Sequence, residues 1–353
     1  MNILADENIA HLDDYFCHDN INLIKLKGRE INECAIDKYD PTALLIRSVT
    51  PINADTISNP ANIKFIGSAT IGTDHVDNEF IQKNHIHFVN AKGSSKHSVA
   101  QYVITALLSK YPDLANKKIT LGIVGLGNIG STLTRYAKDL NWEILGHDPY
   151  LPTSVFNNST FNDLLKNSDI VSIHTPLTKS GDYPTHQLFN KTTLSQLKNN
   201  AILINTARGD IVNQDDLLWA MDNKNLSVML DVFPFEPTID KALLDKLTLA
   251  TPHIAGYTLD GKLRGTDMIY QAFCKYFDLP ILQSMDNLLP PNHCHWQTLK
   301  DKLFKGDTDI LKSYYDILKD DENLRRICTN KVHGADFDRL RKDYELKREW
   351  LYD

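Results

Sequence analysis

Short runs of β-branched and aliphatic residues alternate along the chain with longer segments whose apolar positions recur at helical spacing. The runs NILAD (2–6), NLIKL (22–26), ALLIR (43–47), KFIGSA (64–69) and IHFVN (86–90) predict a first set of strands. A second set follows in KITLGIVG (118–125), WEILGHD (142–148), DIVSIHT (169–175), AILINTA (201–207), SVMLDVF (227–233) and LTLATPH (247–253). HSVAQYVITALLSKY (97–111) and KLRGTDMIYQAFCKYF (262–277) read as helices. Near-continuous apolar strands separated by helical segments indicate parallel sheets covered on both faces. The fold class expected is α/β, with two doubly wound parallel-sheet domains. One spans 1–95 and takes back 256–285, the other spans 96–255. The proline-marked break DNLLPPN then opens a segment of different composition, 286–353, rich in Lys, Arg, Asp and Glu, which reads as an interaction module.

Composition narrows the function classes. The chain has 353 residues, 42% of them hydrophobic, and a net charge of −7, which argues against a phosphate-backbone partner. Five scattered cysteines form no CxxC pair, as expected in a reducing compartment. MNILADENIA lacks the basic start of a signal peptide, and no apolar run approaches the ~18–20 residues of a membrane helix, so a cytoplasmic protein is expected. HCH (293–295) has no second ligand cluster at metal-site spacing, and no metal is expected.

The chemistry begins at Gly125, Gly127 and Gly130, in G-x-G-x-x-G spacing between an apolar strand and an amphipathic helix. Such glycines allow a tight turn, close approach of backbone to a pyrophosphate, and close helix–strand packing. The first helical amides then face the phosphates. Asp148 ends the next strand, near the ~20-residue offset of the acid that holds the ribose hydroxyls, and its charge favours NAD over NADP. The Rossmann-type unit is therefore the cofactor domain, and the first unit is a flavodoxin-like substrate domain.

Ligands of open α/β sheets bind beyond the carboxyl ends of the strands. Thr175, Arg208, Asp231 with Glu236, and His253 stand at four successive ends. Each has a plainer reading as loop charge, turn chemistry or core histidine. Together they suit oxidation of a 2-hydroxy acid. An arginine fork holds the carboxylate, an imidazole takes the hydroxyl proton, and a carboxylate orients the imidazole.

On these residues the chain resembles the NAD-dependent D-2-hydroxyacid dehydrogenases. ILADENI, IRSVT (46–50), KFIGSATIGTDHVD (64–77), GIVGLGNIG (122–130), HTPL (174–177), AILINTARG (201–209), LDVFPFEP (230–237) and HIAGYTLDGKLRGT (253–266) carry the likeness. DFDRLRKDYELKREW (336–350) is similar to a C-terminal dimerisation segment found in that family. The resemblance implies that Arg208, Glu236 and His253 are catalytic. It implies NAD contacts at Asp148, Thr175, Asp231 and Gly256, with the Asn128–Ile129 backbone on the pyrophosphate. Ser48, Thr70 and Tyr257 would contact the substrate, a phosphorylated 2-hydroxy acid, in a homodimer. Gln101, Lys92 and Gln187 depart from the family's usual Glu, Pro and His. Arg47, Lys92, Arg341 and Arg348 are candidates for the substrate's phosphate by charge alone. A glycerate, lactate or phosphoglycerate enzyme, or a dinucleotide-sensing module, are the rival readings; a sensor has no need of the Arg–Glu–His set.

Overall fold

Each of the two sets of apolar runs builds its own parallel sheet. The computed structural model describes residues 1–60 and 62–352, and the chain divides into one unit of 1–95 with 258–291 and another of 96–257 with 292–353.

In the first unit, strands β1 (Asn2–Asp6), β2 (Asn22–Leu26), β3 (Ala43–Ile46), β4 (Phe65–Ser68) and β5 (His87–Asn90) lie in the order β2-β1-β3-β4-β5. All are parallel. This is the flavodoxin-like order. Alternate residues serve opposite faces, as the pleat requires. Ile3, Ala5 and Leu45 pack with Ile269, Tyr270 and Phe273 of the helix Leu259–Phe277. Leu4, Leu44 and Ile66 pack with Ile36, Phe80 and Ile81 on the other side. Burial on both faces explains why these strands read as unbroken apolar runs.

The second unit carries β6 (Thr120–Val124), β7 (Glu143–His147), β8 (Ile170–Ile173), β9 (Ile202–Asn205), β10 (Ser227–Leu230) and, past the short β11 (Ile239–Asp240), β12 (Leu249–Ala250). Their order is β12-β10-β9-β8-β6-β7, all parallel. The order reverses between β6 and β8, the switch point at which such sheets bind ligands.

The segment expected to stand apart from residue 286 does not do so; residues 292–353 belong to the second unit. Trp296 and Trp350 stack at 5.3 Å with Tyr136 set edge-on to both. β13 (Lys331–Val332) pairs antiparallel with β11. Gln101 explains part of this docking. Its amide oxygen accepts from Trp350 N at 2.9 Å and its Nε2 donates to Trp350 O at 3.1 Å. An ionised glutamate, acceptor only, cannot make both bonds.

Candidate active site

Every strand of the second sheet ends, at its carboxyl side, in a residue tied to the end of its neighbour. At β6, Gly125 has φ +92°, and a Cβ there would meet the His174 carbonyl and Thr175 amide beyond β8 at 2.8–2.9 Å. A Cβ at Gly130 would lie 2.0 Å from Gly125 O, so only glycine lets the helix Asn128–Asp139 start so close to the strand. Gly127 is different: a Cβ there meets nothing within 4 Å. Its role is open approach. No side chain caps the helix, so its first amides are left for an anion.

Asp148, beyond β7, accepts from Leu126 N at 3.1 Å and Tyr150 N at 3.1 Å, which places the acid beside the glycine turn. Beyond β8, burial of the His174 ring pushes its pKa down to about 3, so it is neutral at physiological pH. Its Nε2 meets Ser172 Oγ at 2.9 Å and its Nδ1 meets Thr206 Oγ1, beyond β9, at 3.4 Å. The buried Thr175 hydroxyl has no hydrogen-bond partner among the described residues, which leaves it for a ligand. Glycine turn, uncapped helix start, ribose-side acid and orphan hydroxyl together fit a dinucleotide.

The next ends form the reacting part. A Cβ at Gly209 would lie 2.0 Å from the Phe233 carbonyl, so the loop carrying Arg208 touches the loop carrying Glu236 backbone to backbone. Asn205 fixes that loop by accepting from Ala207 N and donating to Arg208 O. Glu236 Oε1 accepts from Phe233 N at 2.7 Å, while Oε2 meets His253 Nδ1 at 2.9 Å. Both side chains stay partly open, 22% for Glu236 and 32% for His253. Nδ1 is thus engaged by Glu236.

His253 has φ +56°, a left-handed conformation strained for a residue with a side chain. Asp231 holds it there. Its Oδ1 accepts from Thr251 Oγ1 at 2.7 Å and Ile254 N at 2.8 Å, and its Oδ2 from Ala255 N at 2.9 Å. Asp231 is 1% exposed. The resemblance implied that it contacts NAD; within the protein its carboxylate faces the turn that carries His253 and Gly256. Burial pushes this carboxyl up, opposed first by the His253 charge and then by its hydrogen bonds.

Several supports escape a reading of the sequence. The Tyr102 hydroxyl, in the helix Lys96–Lys110, donates at 2.6 Å to Thr251, whose own hydrogen goes to Asp231. Asp321 accepts from Ala250 N at 2.8 Å. Arg325 donates to Leu244 O and Leu247 O at the end of the helix Lys241–Lys246. Of the expected substrate residues, Tyr257 lies in the turn after His253, its N–H donating to Ile254 O at 2.8 Å. Ser48 and Thr70 follow the adjacent strands β3 and β4 of the first unit; Thr70 Oγ1 meets Ser68 Oγ at 2.8 Å and Ser48 is exposed. Among the described residues no cluster of three or more His, Cys, Asp or Glu suits a metal ion.

Residues 96–255 match the family described as D-isomer specific 2-hydroxyacid dehydrogenase, NAD binding domain. Fold and site thus define the class, an NAD-dependent oxidoreductase acting on the CH–OH group of a 2-hydroxy acid. The apo D-mandelate dehydrogenase of Rhodotorula graminis shares the fold, with a TM-score of 0.68 at 22% identity over 80% of this chain and 96% of that one. Closer relatives are the erythronate-4-phosphate dehydrogenases of Psychrobacter sp. (strain PRwf-1), 47% identical over 100% of both chains, and of Psychrobacter cryohalolentis, 48% identical over 99% of this chain and 97% of that one. The chain belongs to the erythronate-4-phosphate dehydrogenase family.

Proposed function

We propose that the protein oxidises 4-phospho-D-erythronate to (R)-3-hydroxy-2-oxo-4-phosphooxybutanoate, a step of pyridoxal 5′-phosphate biosynthesis, as a cytoplasmic homodimer in which residues 286–353 contribute to the subunit contact. The observation that carries the reaction is the His253–Glu236 pair at 2.9 Å, set in the same group of loops as Arg208. The 125–130 turn, Asp148, Thr175 and Gly256 hold NAD, with the Asn128 and Ile129 amides on its pyrophosphate. Bound there, NAD would supply the acceptor for the C2 hydride. The Arg208 guanidinium grips the substrate carboxylate as a fork. His253 takes the C2 hydroxyl proton at Nε2 and becomes imidazolium, and Glu236 beside Nδ1 stabilises that charge. Asp231 keeps the imidazole in place from beneath. Ser48, Thr70 and Tyr257 complete the contacts to the substrate.

The test is NAD reduction with 4-phospho-D-erythronate beside D-3-phosphoglycerate and D-lactate, with a 2-oxo acid acceptor added in case NADH leaves slowly. Selective turnover of phosphoerythronate is expected. Preference for another acid discards the substrate and keeps the mechanism. NAD binding without turnover of any acid discards the catalytic reading.

A further inference from the structure

The C-terminal segment is rich in arginine, and most of these side chains answer to a nearby acceptor. Arg325 meets Asp321 at 2.9 Å, Arg326 meets Glu322 at 2.9 Å, and Arg339 meets Asp336 at 2.8 Å. Arg341, in the helix Gly334–Lys342, is held otherwise. Its guanidinium lies over the Tyr257 ring, 5.6 Å from the centroid, and 5.7 Å from that of Phe337. Its Nε is buried and has no hydrogen-bond partner among the described residues. Both rings lie within cation–π distance of the guanidinium, and neither gives its Nε a hydrogen-bond acceptor. A half-buried cation with no ion pair among the described residues is costly, and an anion that completes it recovers the cost. The position is specific, because Tyr257 belongs to the turn that begins at His253.

We infer that Arg341 binds the phosphate monoester of the substrate beside Tyr257, so that the C-terminal segment supplies the specificity for a phosphorylated 2-hydroxy acid. This rests on the proposed oxidation of 4-phospho-D-erythronate. The guanidinium edge offers parallel N–H donors, which suit two oxygens of a phosphate dianion. A lysine there keeps the charge and loses the fork.

The test compares the wild type with Arg341→Ala and Arg341→Lys. Three quantities are read: kcat/KM for 4-phospho-D-erythronate and for unphosphorylated D-erythronate, the Kd of NADH by fluorescence, and the binding of inorganic phosphate by calorimetry. In Arg341→Ala the preference for the phosphorylated acid should collapse by about 50-fold or more, mostly through KM. Arg341→Lys should recover part of it, and inorganic phosphate should bind at least tenfold more weakly to the Ala variant. Equal losses on both acids with a lower Tm would overturn the inference in favour of a structural arginine. A loss confined to NADH affinity would overturn it in favour of the cofactor's pyrophosphate. If the wild type fails to oxidise phosphoerythronate, the proposed function falls. The anion site then stands if phosphate binding depends on Arg341, and falls if it does not.

Discussion

Replacing Asp231 by asparagine separates two roles that one carboxylate could play beside the turn of His253. In the wild type, Oδ1 accepts two hydrogen bonds, from Thr251 Oγ1 and Ile254 N, and Oδ2 accepts one from Ala255 N. Asparagine keeps the shape and one acceptor atom. With its oxygen at Oδ1, the NH2 group points its hydrogens at the Ala255 N–H. That amide loses its acceptor, and the surviving bonds lose their charge assistance. Leaving one buried donor unsatisfied costs about 1–3 kcal/mol, and neutralising the acceptor weakens the other two. Some of this returns when His253 relaxes from φ +56°, where strain is on the order of 1–3 kcal/mol. The balance is a loss of about 2 kcal/mol, or a fall in Tm of roughly 4–8 °C for a unit of this size. Relaxation of that turn also moves the imbedded imidazole, and a misplacement of about 1 Å costs on the order of 100-fold in rate.

The assay is a set of three measurements on Asp231→Asn: Tm by calorimetry, kcat with saturating substrate and NAD, and the Kd of NADH. A brace lowers Tm and kcat together, with little change in Kd. A cofactor ligand weakens NADH binding and leaves Tm alone. An unchanged Tm with the entire loss in Kd would refute the reading of Asp231 as the residue that holds the His253 turn.

Other positions test neighbouring links. Gly209→Ala should separate the Arg208 and Glu236 loops, because its Cβ would lie 2.0 Å from the Phe233 carbonyl; a loss of about 1–3 kcal/mol is expected, with kcat/KM falling as well, and a variant of wild-type stability and activity contradicts that contact. Tyr102→Phe removes the donor to Thr251 and should cost about 1 kcal/mol with less than about a fivefold drop in kcat, since Thr251 still reaches Asp231; a drop on the order of 100-fold would mean that Tyr102 acts on the chemistry directly. His174 tests the electrostatics. Burial lowers its pKa from 6.5 to about 3, so the stability linked to its neutral form is full above pH 6.5 and is lost as pH falls toward 3. By pH 5 the loss reaches at most about 2 kcal/mol, less as far as water screens the half-buried ring. Denaturant titrations of wild type and His174→Gln should therefore diverge between pH 6.5 and 5, the variant losing less; parallel curves rule the linkage out.

The strands were legible because parallel sheets bury both faces, which leaves one unbroken apolar run per strand. All five expected strands of the first unit form within a residue of the positions read from the pattern. The ends of the second set were overrun. AILINTA stops as strand at Asn205, SVMLDVF at Leu230 and LTLATPH at Ala250. Ala207, Val232 and Phe233 are buried although they lie in loops, and hydrophobicity alone cannot tell a buried loop from a strand. The overrun falls at the carboxyl ends, where loops pack on one another to build the site. The tail was set apart on composition, and composition does not show that Trp296 and Trp350 close on Tyr136.

The site divides along the same line. Residues that meet through the topology of a parallel sheet could be placed from the sequence, because strand order puts every carboxyl end on one edge. Glu236 and His253 are of this kind, and Gly209 brings the loop of Arg208 against the loop of Glu236. Tyr102, Asp321, Arg325 and Arg341 are not. Each meets a segment far away in the chain, and a charged helix face looks the same whether solvated or engaged. Arg325 and Arg341 show how little residue type decides: one satisfies two carbonyls at a helix end, the other lies on aromatic rings. Gln101 is the exception that left a trace. It stood out as an amide where the family usually has an acid, and the structure turns that departure into a bond pattern with Trp350 that an ionised acid cannot make. A substitution that preserves shape and removes charge at a buried helix position is thus a signal that another part of the chain docks there. In this protein that part leads to the segment holding Arg341 over Tyr257, in the turn that follows His253.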